Sequence, residues 1–414
     1  MIALLPFTFS FLVELLGLPG VVRFVADFLI LVCMVAVLLK SSSQGKVSVA
    51  RDTAPFSCLI AVFLLYTFVS YLFNFQSVFY YIWGMRNNFR FYVAFLIFIS
   101  FFKERHALNL LKLFDYLFWL HFAVSCVQFF ILGYQQDYLG GLFGVEKGCN
   151  SYVIVFLIIV VLKSLLSFMN GEEKTSACLL RCGAALFISA LAELKVFFIM
   201  FILIMIGSAI FTSFSIKKTI LLILAGVMLM IAYTVLVSLF DSFENFLSFD
   251  YLFEQLFKDN YTSSEDLGRF TAIPQICDTF LTSFSDQAFG MGLGNCDTST
   301  IPLFNTAFYD AYVDIHYSIF SVSFIFLETG FVGLTLFTVF FVAVFVYSLV
   351  NFRKKRGNKF FNQMGLIMSL LCLIIMFYNS SLRTEAGYIA YFIMALPFIG
   401  CRRGQEQSEV IGNG

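Results

Sequence analysis

Twelve apolar runs, most of them near the length of a bilayer-crossing helix, limit what this chain can fold into. A bilayer core takes roughly 20 apolar residues per helix, somewhat fewer where neighbours cover it. On that measure the candidate spans are approximately 2–18, 21–39, 54–73, 88–102, 111–133, 151–168, 178–192, 196–214, 219–240, 316–350, 361–378 and 386–400. The run 316–350 is long enough for a span plus an extra half helix lying at the interface or re-entering. Only 13% of the residues are charged, about half the share in an ordinary soluble domain, which excludes a cytosolic globular enzyme. The opening stretch MIALLPFTFSFLVELLG lacks a basic leader and a small-residue cleavage site, so it reads as a retained first span. The expected fold class is an all-α integral membrane protein of about 12 transmembrane helices. Its units are spans 1–9 (residues 1–240), a large periplasmic loop (241–315), spans 10–12 (316–400) and a cytoplasmic tail (401–414).

Twenty-six basic residues balance 26 acidic ones, so no global field attracts nucleic acid, and none is expected as a partner. Information lies instead in where the charges sit. An even number of spans puts both termini on one side, and the positive-inside rule places them in the cytoplasm. The basic residues that then fall outside are Arg23, Arg86, Arg90, Lys147, Lys195, Lys258, Arg269 and Arg383. The loop 241–315 holds twelve acidic residues against Lys258 and Arg269 alone. A structureless loop of that length is unusual, so it should carry local helices and a function. Its first part, FENFLSFDYLFEQLFKDN, has the spacing of a short amphipathic helix resting on the membrane surface. Ten cysteines show no CxxC pair and no Cys/His cluster at metal-ligand spacing, so zinc, iron–sulfur and disulfide-scaffold readings drop away; no cofactor is expected.

Arg86 and Arg90, four apart at the outer mouth of the fourth span, share a helical face. Two guanidinium forks there suit a phosphate, or they snorkel to lipid headgroups and anchor the helix. Glu193 and Lys195 occupy a tight turn between two apolar spans, where a charge is expensive without a partner. They either serve a ligand or neutralise each other. Gly140, Gly141, Gly144 and Gly148 precede Asn150, and Gly290, Gly292 and Gly294 follow Arg269. The second set does not follow a strand into a helix, so a dinucleotide site is disfavoured, and the first set reads as turn-forming. Arg269 is either a ligand cation or a partner for Glu265 and Asp266. A histidine can take or give a proton at neutral pH, so His316 suits a general acid or base, though a lone His at an interface also serves structure. Glu328 opens the membrane-crossing part of its segment and needs a partner.

In order along the chain, these motifs resemble the O-antigen polymerase and ligase superfamily, the Wzy- and WaaL-like membrane glycosyltransferases of bacterial envelopes. Gly141–Gly144 with Cys149-Asn150, then Ser189 to Lys195, resemble that family's glycine-then-asparagine and small-residue turn motifs. Gly268-Arg269-Phe270, the three spaced glycines, His316, and Glu328-Thr329-Gly330 with Gly333 resemble its loop signature. Tyr317 stands where the family often has Asn, and Lys195 where Arg is common.

The resemblance implies glycosyl transfer at the periplasmic face of the bacterial inner membrane, from an undecaprenyl-pyrophosphate-linked oligosaccharide, without metal. It implies inversion at the anomeric carbon and a partner that regulates chain length. In that reading Arg269 and Lys195, with Arg86 or Arg90, clamp the pyrophosphate. His316 orients or deprotonates the acceptor hydroxyl, and Glu193 is the reserve base. High phenylalanine content, 57 residues, and weakly matched motifs resemble a repeat-unit polymerase for O-antigen or capsule more than a ligase acting on lipid A core. A transporter or flippase of lipid-linked oligosaccharide predicts ionisable residues deep in the spans. Glu14, Asp27, Asp115 and His121 are the few candidates.

Overall fold

The computed structural model describes residues 2–43, 53–213, 215–239, 248, 257–258, 266–299 and 301–412. Every regular element among them is helical. In chain order these are α1 (Leu5–Ser10, between short irregular turns), α2 (Phe24–Ser43), α3 (Ala54–Asn74), α4 (Val78–Phe101), α5 (Glu104–Phe130), α6 (Asn150–Met169), α7 (Thr175–Leu191), α8 (Lys195–Ile210) and α9 (Ile216–Leu239). After the short helices α10 (Ala272–Thr279), α11 (Phe284–Phe289) and α12 (Ala307–Tyr312) come α13 (Ser321–Arg353), α14 (Lys359–Tyr378) and α15 (Ala386–Gly412). Among the described residues six helices, α3, α5, α6, α9, α13 and α14, are long and apolar enough to cross a membrane. α7, α8 and the first part of α15 are apolar but shorter.

Burial sorts these helices by composition. α6, apolar all round from Val153 to Leu162, lies in the centre, and α14 packs there too. α3 and α9 are peripheral and turn Leu65, Phe68, Leu72 and Phe73, or Ile220, Ile223, Val227 and Ile231, outward. Rows of exposed aliphatic and aromatic side chains on helices whose backbone bonds are internally satisfied are what a lipid solvent selects.

Two boundaries differ from expectation in ways that matter. α4 begins at Val78, so Arg86 and Arg90 lie inside the helix and not at its mouth. A hydropathy measure stops at charged residues, yet here Asp27 of α2 and Glu385 in the turn before α15 neutralise them. The long segment starts at Ser321 and breaks at Gly330, whose φ of 62° and ψ of −167° are non-helical. The expected surface helix at 243–260 lies almost wholly outside the described residues.

Inter-helix connections gather at two ends. At one, Gln76 Nε2 donates to the Leu293 carbonyl (2.8 Å), Tyr152 Oη donates to Glu385 (2.7 Å), and the Ser321 amide donates to the Asn379 carbonyl (3.2 Å). At the other, Asn170 Nδ2 donates to Gln363 Oε1 (2.9 Å), Asn358 bonds Glu104, and Lys163 and Arg181 both pair with Asp115.

Candidate functional site

Val313–Ile315 forms a single 3-10 turn that ends with His316 in the left-handed region, φ 56°. The Leu267 amide donates to the Ile315 carbonyl (3.2 Å) and ties this turn to the segment carrying Asp266. His316 Nδ1 and Asp266 Oδ1 are 2.7 Å apart; the Asp266 side chain is fully buried while that of His316 is 44% exposed. With Asp266 ionised, its carboxylate only accepts, so Nδ1 donates and Nε2 is left as the basic nitrogen.

Three residues from Asp266, and so within roughly 11 Å of it along the chain, Arg269 lies over the rings of Tyr378 (4.6 Å) and Phe320 (5.8 Å). Phe270 stacks on Phe377 at 5.1 Å and holds this loop against the end of α14. Asp266, expected as a partner for Arg269, binds His316. Arg269 and Lys195 are near enough to repel. Lys195 forms an ion pair with Glu193 at 3.5 Å, as the tight turn requires. Burial pushes the Glu193 carboxyl above its ordinary value, and Lys195 opposes this.

Arg86 and Arg90 are claimed by different acids. Arg86 donates from Nε and Nη2 to one Asp27 oxygen (2.9 and 2.7 Å) and lies against Phe24 and Trp83. Arg90, buried, pairs with Glu385 at 3.5 Å, and Tyr152 Oη donates to the other Glu385 oxygen. Burial alone would raise the Glu385 pKa, but Arg90, the Tyr152 hydrogen bond and Arg23 bring it down to about 2. Arg383, in the same turn as Glu385, stacks on Phe324 with 3.2 Å from its guanidinium carbon to the ring centroid.

The spaced glycines have a mechanical role. Residues 288–294 form a strap across the break in α13: the Met291 and Gly292 amides donate to the Leu327 and Glu328 carbonyls (both 2.9 Å). Tyr66 Oη donates to the Thr329 and Ala288 carbonyls. Glu328 in return accepts from the Cys296 amide (3.2 Å). Gly294, φ 84°, presses on Gly84 of α4 so closely that a side-chain carbon on either would strike the other's backbone. Tyr317, buried, donates to the Cys296 carbonyl and is a packing residue. Gly141 likewise abuts His121, which accepts from the Leu142 amide (3.1 Å) in a wholly buried site. Among the described residues no three His, Cys, Asp or Glu side chains converge as metal ligands.

The structure thus gathers His316, Arg269, Lys195 and Glu193 at one end of the helices, and commits Arg86 and Arg90 to ion pairs. Sequence reasoning missed Glu385, Tyr152 and Asp297. The signal for Glu385 was an arginine and an acid two residues apart in a short turn, Arg383-Thr384-Glu385. No family model matches the chain, and no curated protein matches it. Fold and site together define a class: an all-helical protein with several helices built to cross a membrane and a charged, histidine-bearing cluster at one end.

Proposed function

We propose that this protein is a membrane glycosyltransferase, a polysaccharide repeat-unit polymerase that moves a growing O-antigen or capsule chain from undecaprenyl pyrophosphate to a new lipid-linked repeat unit. The observation that carries the reading is the His316–Asp266 pair, with Arg269 three residues away from its acid, at the end opposite the basic run Arg353, Lys354, Lys355 and Arg356. By the positive-inside rule that run faces the cytoplasm, which puts the histidine on the periplasmic side of a bacterial inner membrane.

In this mechanism the acceptor hydroxyl oxygen bonds to the anomeric carbon of the donor. The bond from that carbon to the pyrophosphate oxygen breaks, and the lipid pyrophosphate leaves with the electron pair. The hydroxyl proton passes to His316 Nε2, and Asp266 stabilises the imidazolium. Arg269 and Lys195 offset the charge that grows on the leaving group. Glu193, half-buried beside Lys195, is the alternative base. Membrane lipid, lipid-linked oligosaccharide and a chain-length regulator are the partners of this scheme.

The test is to incubate the purified protein in nanodiscs with an undecaprenyl-pyrophosphate-linked repeat unit as the only glycan. A ladder growing by one unit per step, lost in Arg269→Ala, is the expected result. Transfer only when lipid A core is added would make the protein a ligase, and no transfer in either case would return it to the transporter class.

A further inference from the structure

Arg383, at the same end as His316, lies inward and, among the described residues, has no acid within ion-pair distance. Arg86, Arg90, Lys195 and Arg23 each have a carboxylate within 4.0 Å, whereas among the described residues none lies that close to Arg383. Its Nε is buried without a hydrogen-bond partner. Its plane is fixed against Phe324, one helical turn from the Phe320 ring that Arg269 overlies. Phe320 caps α13 and Phe324 lies in its first turn, so the two arginines stack at the same end of that helix.

Two acids, Asp297 and Glu328, act on Arg383 from beyond ion-pair distance. Asp297 is engaged by Asn87 Nδ2 (2.6 Å) and the Thr298 amide (2.9 Å), and Glu328 by the Cys296 amide. Glu328 Oε2 is itself buried without a partner. The turn is anchored by Ser321, whose amide and hydroxyl both donate to the Asn379 carbonyl (3.2 and 2.9 Å). Burial pulls the guanidinium pKa down to about 10, which still leaves it charged at neutral pH.

We propose that Arg383, stacked on Phe324, is the principal fork of a phosphate-binding subsite at the turn 379–385, and that it receives the pyrophosphate group of the donor. A planar guanidinium held by a ring and not by a carboxylate keeps its donors for a bidentate anion. The lipid identity rests on the transferase reading; the anion site does not.

The experiment measures binding of inorganic pyrophosphate, and separately of undecaprenyl pyrophosphate, to the full chain in nanodiscs of zwitterionic lipid. Arg383→Gln should weaken binding roughly 10- to 100-fold, and Arg383→Lys should recover part of it. Loss with both probes makes the free anion a sufficient ligand, and loss with the lipid alone makes the headgroup its source; each upholds the subsite. Unchanged affinity for both in folded Arg383→Gln overturns it. So does recovery of binding when Glu328→Gln is added to Arg383→Gln, because Arg383 is then only a counter-charge for Glu328. If Arg383→Gln does not fold, the native chain decides: pyrophosphate should protect Arg383 from phenylglyoxal, and absence of modification or of protection overturns the subsite. Lost binding in Arg383→Gln together with no ladder from the native protein would keep the subsite and discard the polymerase.

Discussion

Glu385 is the acid on which Arg90, Tyr152 and Arg23 converge, and its sign of response to pH follows from these partners. Its folded pKa of about 2 lies below the ordinary 4.5, so its stabilisation is full above pH 4.5 and is lost as pH falls through 2. The shift corresponds to about 3 kcal/mol, and removing the acid also strands the buried Arg90. Glu385→Gln should therefore melt well below the native protein at pH 7, with the gap at least halved at pH 3; an equal gap at both values would remove the ion pair as its cause. His316 acts at the same scale. His316→Ala should lower kcat by about 10²–10⁴ with little change in donor KM, and Asp266→Asn should also lower kcat by turning the orienting hydrogen bond around. A rate within twofold of native in initial-rate assays of His316→Ala would take the histidine out of the chemistry. Charge bookkeeping along the sequence was enough to single out His316, Arg269, Lys195 and Glu193. It was blind to Asp266 as the partner of His316, 50 residues away, and to Glu385 as the partner of Arg90, because ion pairs between distant segments leave no local pattern.

The break in α13 shows the same limit for whole elements. Sequence length alone indicated a span with an extra half helix, and the division falls at Gly330 because its backbone conformation is essentially confined to glycine. Three helix carbonyls near the break, those of Leu327, Glu328 and Thr329, are answered by the 288–294 strap and Tyr66. The role of the spaced glycines left no local pattern in the sequence, since Gly84 and Gln76, against which Gly294 and Gly292 pack, lie more than 200 residues earlier. Gly330→Ala should cost about 1–3 kcal/mol in backbone strain, beyond the clash with the Ala288 carbonyl, and lower the melting temperature; native-like melting would place the break elsewhere. Gly84→Leu should push the strap off α4 and expose Cys296, which is wholly buried. Maleimide labelling of Cys296, followed by peptide mass spectrometry, should rise from background to near completion. Continued protection in a folded variant would mean that the strap does not depend on this contact.

At the scale of the molecule, the two ends differ in kind. One carries His316, Arg269, Arg383 and the described loop segments; the other carries the run Arg353–Arg356 with Lys359, and ion pairs of Lys163 and Arg181 with Asp115 and Glu173. Each basic residue near the cytoplasmic surface adds to the cost of translocating it, so on the proposed topology the run Arg353–Arg356, which ends α13 and opens the turn after it, faces the cytoplasm and His316, at the other end of α13, faces the periplasm. The apolar helices support a membrane-crossing protein, while the side on which its chemistry stands depends on this asymmetry. Alkaline phosphatase, which is active only in the periplasm, should be active when fused after residue 280 and silent when fused after 356. Replacing Arg353, Lys354, Lys355 and Arg356 with Gln should blur the contrast, because no comparable basic run remains in the last two connections. Activity at 356 with silence at 280 would place His316 and Arg383 in the cytoplasm, where a donor already flipped to the outer leaflet cannot reach them, and the polymerase reading would fall with the topology.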